Sequence, residues 1–251
     1  MLPYLGAAAF GNPSSSHRFG RTARAGLEQA RREVAEAVGA EPEQVVFTSG
    51  GTEADNLAVI GACLAARHRG QPMIAAVCAT EHKAVLAAAH AVKDLGGEER
   101  ILPVDTRGRV ELDALSQTPA RASGGGFRDV GEQRGRDGTA GCRRSRHDVP
   151  KPAHSCTLMP SRAFGKIPIR FARTPCTMLT ISGHKIGAPK GVGALIVRER
   201  KALEAIIHGG GQQFGIRPAP RMWPGAVGLG RAAALAVAGT RLDRRSYANA
   251  A

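Results

Sequence analysis

The sequence predicts an α/β fold in which a mostly parallel sheet is flanked by helices. Short apolar runs of strand length alternate with stretches of helical length over residues 18–115, which is typical of consecutive βαβ units. Two further apolar runs, 178–181 and 194–197, are bounded by Gly and Pro and are predicted to be buried strands. Ligands of such sheets bind beyond the carboxyl ends of the strands, so the segments after the strands are the candidate functional regions.

The composition is that of a globular protein. The 251 residues are 43% hydrophobic and 22% charged, and they suffice for one large domain or two small ones. No apolar run approaches the ~20 residues that span a membrane, and the first residues lack a signal-peptide pattern. Five cysteines, an odd number without a CxxC pair, argue against a disulfide framework or a zinc site and favour the reducing cytoplasm.

The net charge of +14 makes nucleic-acid binding one alternative function. Of this charge, +5 is concentrated in residues 121–162, which contain nine Lys or Arg against four Asp or Glu. That segment has a single aromatic residue, Phe127, and so offers no stacking platform for bases. A basic nucleic-acid-binding protein is therefore kept as the weaker alternative.

The first predicted helix follows a cluster of turn residues at 12–17. Its apolar positions recur at helical spacing to about Val38, and Gly39 is a natural C-cap. A strand at 45–48 comes next, and the turn SGGTEADN at 49–56 leads into a second helix. Glycines at a strand-to-helix turn let backbone N–H groups approach an anion, although N-capping by Thr52 is the alternative interpretation.

A strand predicted at 73–79 is followed by a helix that runs to about Val92. His82 lies between them, at the carboxyl end of the strand, where a histidine can lie flat on an aromatic cofactor. A surface or capping histidine is the alternative interpretation. A strand at 101–104, a turn at 105–108 and a short helix near 112–115 are predicted beyond it.

Lys185 directly follows the apolar run 178–181, in the sequence Ser-Gly-His-Lys. A lysine at the end of a buried strand, where the sheet meets a cleft, can act as a Schiff-base nucleophile beside His184 and the hydroxyl of Ser182. A solvated loop lysine is the alternative, since most lysines are exposed.

Six segments resemble the cysteine desulfurases, including their selenocysteine lyase relatives, which are pyridoxal 5'-phosphate (PLP) enzymes of aminotransferase class V. In chain order these are NPSSSHxxGRxAR, SGGTEADN, TEHKAVL, SGHKxGxxKGxGAL, HGGGQxxGxR and PGxVGLGxAAxLA. The resemblance implies the large domain of a fold type I PLP enzyme. It implies that Lys185 bonds the cofactor and that His82 stacks on its ring and moves protons. The implied phosphate contacts are Gly51, Thr52, Ser182 and His184.

The resemblance also implies an activity and partners. The family removes sulfur or selenium from L-cysteine or L-selenocysteine, gives alanine, and supplies sulfur for iron–sulfur clusters. It implies a cytoplasmic homodimer, an iron–sulfur scaffold protein as a partner, and neither a metal nor a membrane.

The pattern breaks over residues 121–162, which lack periodicity and are predicted to be irregular. The family motifs NNExG and HTDAxQ, whose aspartate pairs with the pyridine nitrogen, are absent. Codons for residues 127–139, 156–162 and 217–223 can be chosen so that other frames encode FVMWANNEVGTV, HTDAVQ and SGTENV. We therefore hypothesise compensating frameshifts in the coding sequence.

These departures predict an incomplete PLP-binding large domain over residues 1–250, truncated at both ends and without the small C-terminal domain. As written, the chain is expected to be impaired or inactive as a desulfurase, and a non-catalytic remnant of such an enzyme is the alternative. Cys63 and Cys78 fall in predicted core elements and are expected to be inert.

Overall fold

The computed structural model describes residues 1–6, 11–106, 108, 128–129, 157–159, 164–174, 176–218 and 223–248. Four α-helices and seven strands form within these ranges. In chain order they are α1 (Arg18–Val38), β1 (Val45–Thr48), α2 (Gly51–His68), β2 (Ile74–Cys78), α3 (Lys83–Asp94), β3 (Glu98–Leu102), β4 (Arg128–Asp129), β5 (Thr157–Met159), β6 (Met178–Ser182), β7 (Gly193–Val197) and α4 (Trp223–Ala248).

Helix α1 confirms the bounds that the sequence predicts. The side chain of the N-cap residue, His17, accepts a hydrogen bond from the Gly20 N–H group at 3.2 Å. At the other end, Gly39 adopts a left-handed conformation with φ of 65°, and its N–H group donates to the Glu36 carbonyl at 3.2 Å. Because glycine alone adopts this conformation without strain, the helix ends where Gly39 occurs.

The described strands form two sheets. Five of them are ordered β1–β7–β6–β5–β4, and β2 pairs in parallel with β3 in a separate two-stranded sheet. Strand β7 is antiparallel to both of its neighbours, whereas β4, β5 and β6 are parallel. Strands β1 and β6 therefore run in the same direction on either side of β7. This arrangement confirms the predicted α/β fold with a mostly parallel sheet.

Strand β3 begins three residues earlier than the sequence predicts. Within the described residues it pairs with β2, and the side chain of Ile101 remains 48% exposed. A half-exposed strand does not need a continuous apolar run, so hydrophobicity alone misplaced its start. The turn that follows is as predicted, since the Gly108 N–H group donates to the Asp105 carbonyl at 2.9 Å.

Strands β4 and β5 lie inside the segment that is predicted to be irregular. They are two and three residues long, and β5 pairs in parallel with both β4 and β6. Strands this short carry no usable periodicity, so the sequence pattern did not predict them. The short helix predicted near 112–115 lies outside the described residues.

Helices cover both faces of the larger sheet. Phe47 and Leu179 pack with α1 and α4 on one face, while Val46 and Met178 pack with α2 and α3 on the other. Neighbouring strand residues point to opposite faces, so both clusters draw on the same strands. This explains why β1, β6 and β7 are continuous apolar runs rather than alternating ones.

Side chains close the edge of β1 that faces away from β7. The guanidinium of Arg31 donates to the Val45 carbonyl and to Gln213 Oε1, the latter at 2.7 Å. Gln213 Nε2 in turn donates to the Phe47 carbonyl at 3.4 Å. Alternate carbonyls of a strand point to the same edge, so α1 and Gln213 together satisfy this edge of β1.

Candidate active site

Two of the predicted functional turns begin at the same level of the sheet. Thr48 at the end of β1 and Ser182 at the end of β6 both pair with Gly193, from opposite sides. A Cβ atom at Gly193 would lie 2.7 Å from the carbonyl carbon of Gly50 and 2.7 Å from the carbonyl oxygen of Ile181. The absence of a side chain at Gly193 therefore lets the turns after β1 and β6 meet.

The turn into α2 has the geometry of an anion site. Its N-cap residue is Gly50, not Thr52, so no capping side chain covers the start of the helix. The Thr48 hydroxyl donates to the Gly50 carbonyl at 2.9 Å and holds the turn. A Cβ atom at Gly51 would lie 3.0 Å from Ser182 Cβ and 3.2 Å from Ser182 Oγ. The first N–H groups of α2 are thus placed beside a hydroxyl, at the positive end of the helix dipole.

The predicted nucleophile lies in a short 3₁₀ turn, Gly183–Ile186, directly after β6. Ser182 Oγ and His184 Nδ1 are 3.1 Å apart, within hydrogen-bonding distance. The Gly183 N–H group donates to the Val192 carbonyl at 3.1 Å, which fixes the start of the turn. Lys185 is exposed on this turn, next to the Ser182–His184 pair in sequence.

A partly buried ion pair stabilises the turn into α2. Arg217 Nε and Nη2 donate to the two carboxylate oxygens of Glu53, at 2.7 and 3.2 Å, and each side chain is 12% exposed. The same carboxylate accepts hydrogen bonds from the Ser49 N–H group at 2.8 Å and the Ser49 hydroxyl at 2.5 Å. Burial by itself raises the pKa of Glu53, but the hydrogen bonds from Arg217 and Ser49 outweigh it and hold that pKa below its ordinary value.

His82 is the N-cap residue of α3. Its Nδ1 atom accepts a hydrogen bond from the Ala84 N–H group at 3.1 Å, and the ring is exposed. An accepting Nδ1 carries no proton, so the proton of the neutral ring lies on Nε2. This contact matches the alternative interpretation of His82 as a capping histidine. The contact does not involve the Nε2–H group, which is left available to donate to a ligand.

The structure brings some of the predicted site residues into contact with one another, but not all of them. Gly51, Ser182 and His184 lie together, and Thr52 and Lys185 follow them directly in the chain. In the described part of the chain, no hydrogen bond or ion pair connects His82 or Lys185 to this group. The sequence analysis missed Ser49, Glu53 and Arg217 as site residues. Glu53 and Arg217 belong to two of the matching motifs, but a contact across 164 residues leaves no signal in a single sequence.

The described cysteines are structural. Cys63, Cys78 and Cys176 are buried. Burial raises the pKa of the Cys63 thiol to about 12, which leaves it protonated at neutral pH. This agrees with the inert roles predicted for Cys63 and Cys78.

Neither a membrane segment nor a metal centre is found in the described residues. None of the helices there is long and apolar enough to cross a membrane. No group of three His, Cys, Asp or Glu side chains there is arranged to hold a metal ion.

Solved structures share this fold. A NifS-like protein superimposes with a TM-score of 0.84 at 28% sequence identity, covering 96% of this chain and 65% of that one. DndA from Streptomyces lividans superimposes with a TM-score of 0.77 at 32% identity, covering 96% and 68% of the two chains. The fold is the large-domain fold of PLP-dependent proteins of fold type I, as the sequence predicts.

The chain belongs to the aminotransferase class V family, whose model matches residues 4–121 and 160–238. Cysteine desulfurase IscS of Dictyoglomus turgidum is 35% identical over 241 residues, covering 94% of this chain and 59% of the relative. A cysteine desulfurase of Cereibacter sphaeroides is 39% identical over 249 residues, covering 95% and 61%. The chain is thus similar to cysteine desulfurases and spans about three fifths of their length.

Proposed function

We propose that this chain is the PLP-binding part of a cysteine desulfurase-type enzyme. The observation that carries the proposal is the meeting of two turns above Gly193, which brings Gly51 against Ser182 and next to the turn of Lys185. Cysteine desulfurases among the relatives support the reaction class. The proposed reaction transfers sulfur from L-cysteine to an acceptor thiol, giving L-alanine and a persulfide.

The residues at the two turns fit the phosphate group of PLP. The N–H groups of Gly51 and Thr52 and the hydroxyl of Ser182 supply hydrogen-bond donors, and a side chain at Gly51 would fill the space between them. When the Ser182 proton is directed at the phosphate, His184 Nδ1–H would donate to Ser182 Oγ and orient this hydroxyl, and only the doubly protonated ring has a further N–H group for the phosphate. Phosphate binding at the start of a helix uses both these donors and the helix dipole.

Lys185 is the proposed covalent anchor of the cofactor. Its amine projects from a turn fixed at one end by Gly183 and at the other by Gly187, which has φ of 78°. When bound, PLP supplies an electron sink for reactions at the α-carbon of an amino acid. The lysine amine then moves protons at the substrate, and a neutral His82 with its proton on Nε2 is the proposed second proton carrier.

The substrate and partners follow from the relatives and are part of the proposal. L-Cysteine or L-selenocysteine is the substrate class, and the persulfide would supply iron–sulfur cluster assembly. A homodimer, an iron–sulfur scaffold partner and a cytoplasmic location are proposed on the same grounds.

We expect this polypeptide, as written, to have little or no desulfurase activity. The motifs that provide the carboxylate for the pyridine nitrogen and the ring contacts are missing from residues 121–162. A pyridine nitrogen without a carboxylate partner is a poorer electron sink. Binding of the cofactor and turnover are therefore separable in this chain.

The test measures PLP binding directly. PLP added to the chain should produce an absorbance band near the edge of the visible range, and Lys185→Ala should abolish it. Lys190→Ala removes an exposed lysine from the loop that follows and should leave the band unchanged. A band that survives Lys185→Ala, or no band in the unaltered chain, would refute PLP attachment at this lysine. Alanine release near the rate of an intact desulfurase would refute the predicted impairment.

A further inference from the structure

The partly buried pair of Glu53 and Arg217 lies at the turn to which the cofactor phosphate is assigned. Glu53 is the third residue of α2, directly after Gly51 and Thr52. Its carboxylate receives two bonds from Arg217 and two from Ser49, the residue before the glycines. A single side chain therefore connects both ends of the phosphate turn.

A carboxylate so close to an anion site has two opposing effects. Its negative charge repels a phosphate group. Its hydrogen bonds to Ser49 hold the turn in the shape that presents the N–H groups of α2. Arg217 reduces the repulsion and leaves the turn stabilised, because its bidentate guanidinium neutralises the carboxylate of Glu53 without removing the bonds of that carboxylate to Ser49.

Arg217 is itself held by the segment in which it lies. A Cβ atom at Gly209 would lie 2.4 Å from the Pro218 carbonyl oxygen, so residues 209–218 fold back closely on themselves. Gln213 in the same segment is 6% exposed and bonds to Arg31 and to the Phe47 carbonyl. The segment is thus attached to α1 and β1 independently of the ion pair.

We propose that Glu53 and Arg217 act as one positioning pair, which holds the 49–52 turn in its anion-binding shape and couples it to the 209–218 segment. The identity of the anion as the phosphate of PLP rests on the proposed function, whereas the positioning of the turn does not. Neither residue is assigned a contact with the cofactor.

The experiment compares Arg217→Gln, Arg217→Lys, Glu53→Ala and the double variant Glu53→Ala/Arg217→Gln. Arg198→Gln is the matched control, because Arg198 also donates several side-chain hydrogen bonds, in its case to backbone carbonyls, but directly follows β7 at the end of the sheet opposite to Gly193. Two quantities are measured for each variant: amide hydrogen exchange over residues 48–56, and the Kd for PLP from its absorbance.

We expect Arg217→Gln to speed exchange over residues 48–56 and to raise the Kd for PLP about tenfold. Arg217→Lys keeps the charge but not the bidentate geometry, and should show a smaller rise in both quantities. Arg198→Gln should change neither. Glu53→Ala is the sharpest variant, since electrostatic repulsion alone predicts tighter PLP binding and a positioning role predicts weaker binding.

The double variant tests whether the residues act as a unit. Its Kd should rise no more than that of the worse single variant, because the second substitution removes a partner already lost. Unchanged hydrogen exchange in Arg217→Gln, or tighter PLP binding by Glu53→Ala, would overturn the inference. If the unaltered chain binds no PLP while the exchange result holds, the proposed cofactor fails and the positioning role survives.

Discussion

Gly51 faces Ser182 so closely that a Cβ atom at Gly51 would lie 3.0 Å from Ser182 Cβ. The first residue of α2 and the last residue of β6 thus line one small space, although they are 131 positions apart in the sequence (182 − 51). A space of this kind suits a compact anion held by backbone N–H groups and a hydroxyl. This space exists only because Gly51 has no side chain, so a substitution of Gly51 tests whether an anion binds there.

Gly51→Ala is expected to raise the Kd for PLP about tenfold, because the new methyl group occupies the space beside the Ser182 hydroxyl and displaces a phosphate oxygen. The measurement is an absorbance titration with PLP. Gly239→Ala is the control, since no atom lies within 4 Å of a Cβ atom at that helical position. Equal affinity of the two variants would contradict the assignment of the phosphate to this turn.

The stability contributed by Glu53 is expected to depend on pH in a defined direction. The pKa of Glu53 is lower in the folded chain than its ordinary value of 4.5, so the ionised form is favoured by folding. Its contribution is therefore fully present above pH 4.5 and is lost as the pH falls through the lower, folded pKa. Glu53→Gln should cost about 2 kcal/mol at pH 7.

The check is denaturant unfolding of the unaltered chain and of Glu53→Gln across a pH series. The difference in free energy of unfolding should be constant above pH 4.5 and should shrink below it. Glu36→Gln alters an exposed carboxylate of α1 and serves as the control. A difference that grows on acidification would contradict the sign of the pKa change.

Gly193→Ala is expected to destabilise the fold by about 1–3 kcal/mol, as overpacking of a core does. The added methyl group would meet the backbone of both Gly50 and Ile181, which lie on neighbouring segments and cannot both withdraw. Thermal unfolding followed by circular dichroism measures the loss. Gly211→Ala, with nothing within 4 Å of its Cβ position, should change the midpoint little. Equal midpoints for Gly193→Ala and the unaltered chain would show that the two turns are not packed as described.

Cys63 is expected to resist alkylation in the folded chain. With its thiol pKa raised from 9.0 to about 12, its thiolate fraction at pH 8 is about a thousandfold smaller than in an unfolded chain. Iodoacetamide labelling followed by mass spectrometry of the peptide containing Cys63 tests this, with the same reaction in urea as the reference. Rapid labelling without urea would contradict the burial of this thiol.

The frameshift hypothesis makes a prediction about the gene and the protein. The coding DNA for residues 127–139, 156–162 and 217–223 should encode FVMWANNEVGTV, HTDAVQ and SGTENV in other frames. A chain with these three stretches restored should bind PLP more tightly than the unaltered chain, because the ring contacts and the pyridine carboxylate return. Coding DNA that lacks the three motifs in every frame would refute the frameshift hypothesis.

The regular part of the fold was predictable because its signals are local. Gly39 ends α1, and the apolar runs of β1, β6 and β7 mark strands that are buried on both faces. Strands β4 and β5 are too short to have a period, and half-exposed β3 lacks a continuous apolar run. Their positions depend on pairing partners that a single sequence does not reveal.

In the candidate site, too, the features with local sequence signals were predictable, and those that depend on distant contacts were not. Glycine-rich turns after strands predicted Gly51, Thr52 and Lys185 as site residues, because a turn is determined by residues that are neighbours in the sequence. The contact of Glu53 with Arg217 depends on the packing of distant segments, so their pairing emerged only from the structure. The direct contact of His82 with a cofactor stays a prediction, while its cap at the start of α3 is established.

The edge of β1 that Arg31 and Gln213 cover is relevant to the association of chains at high protein concentration. An open strand edge invites a second chain to add a strand, which is a common start of aggregation. Arg31 and Gln213 occupy the carbonyls through which such an addition would begin. Loss of either side chain would leave a carbonyl of β1 without this partner, at the edge where a second chain could add a strand.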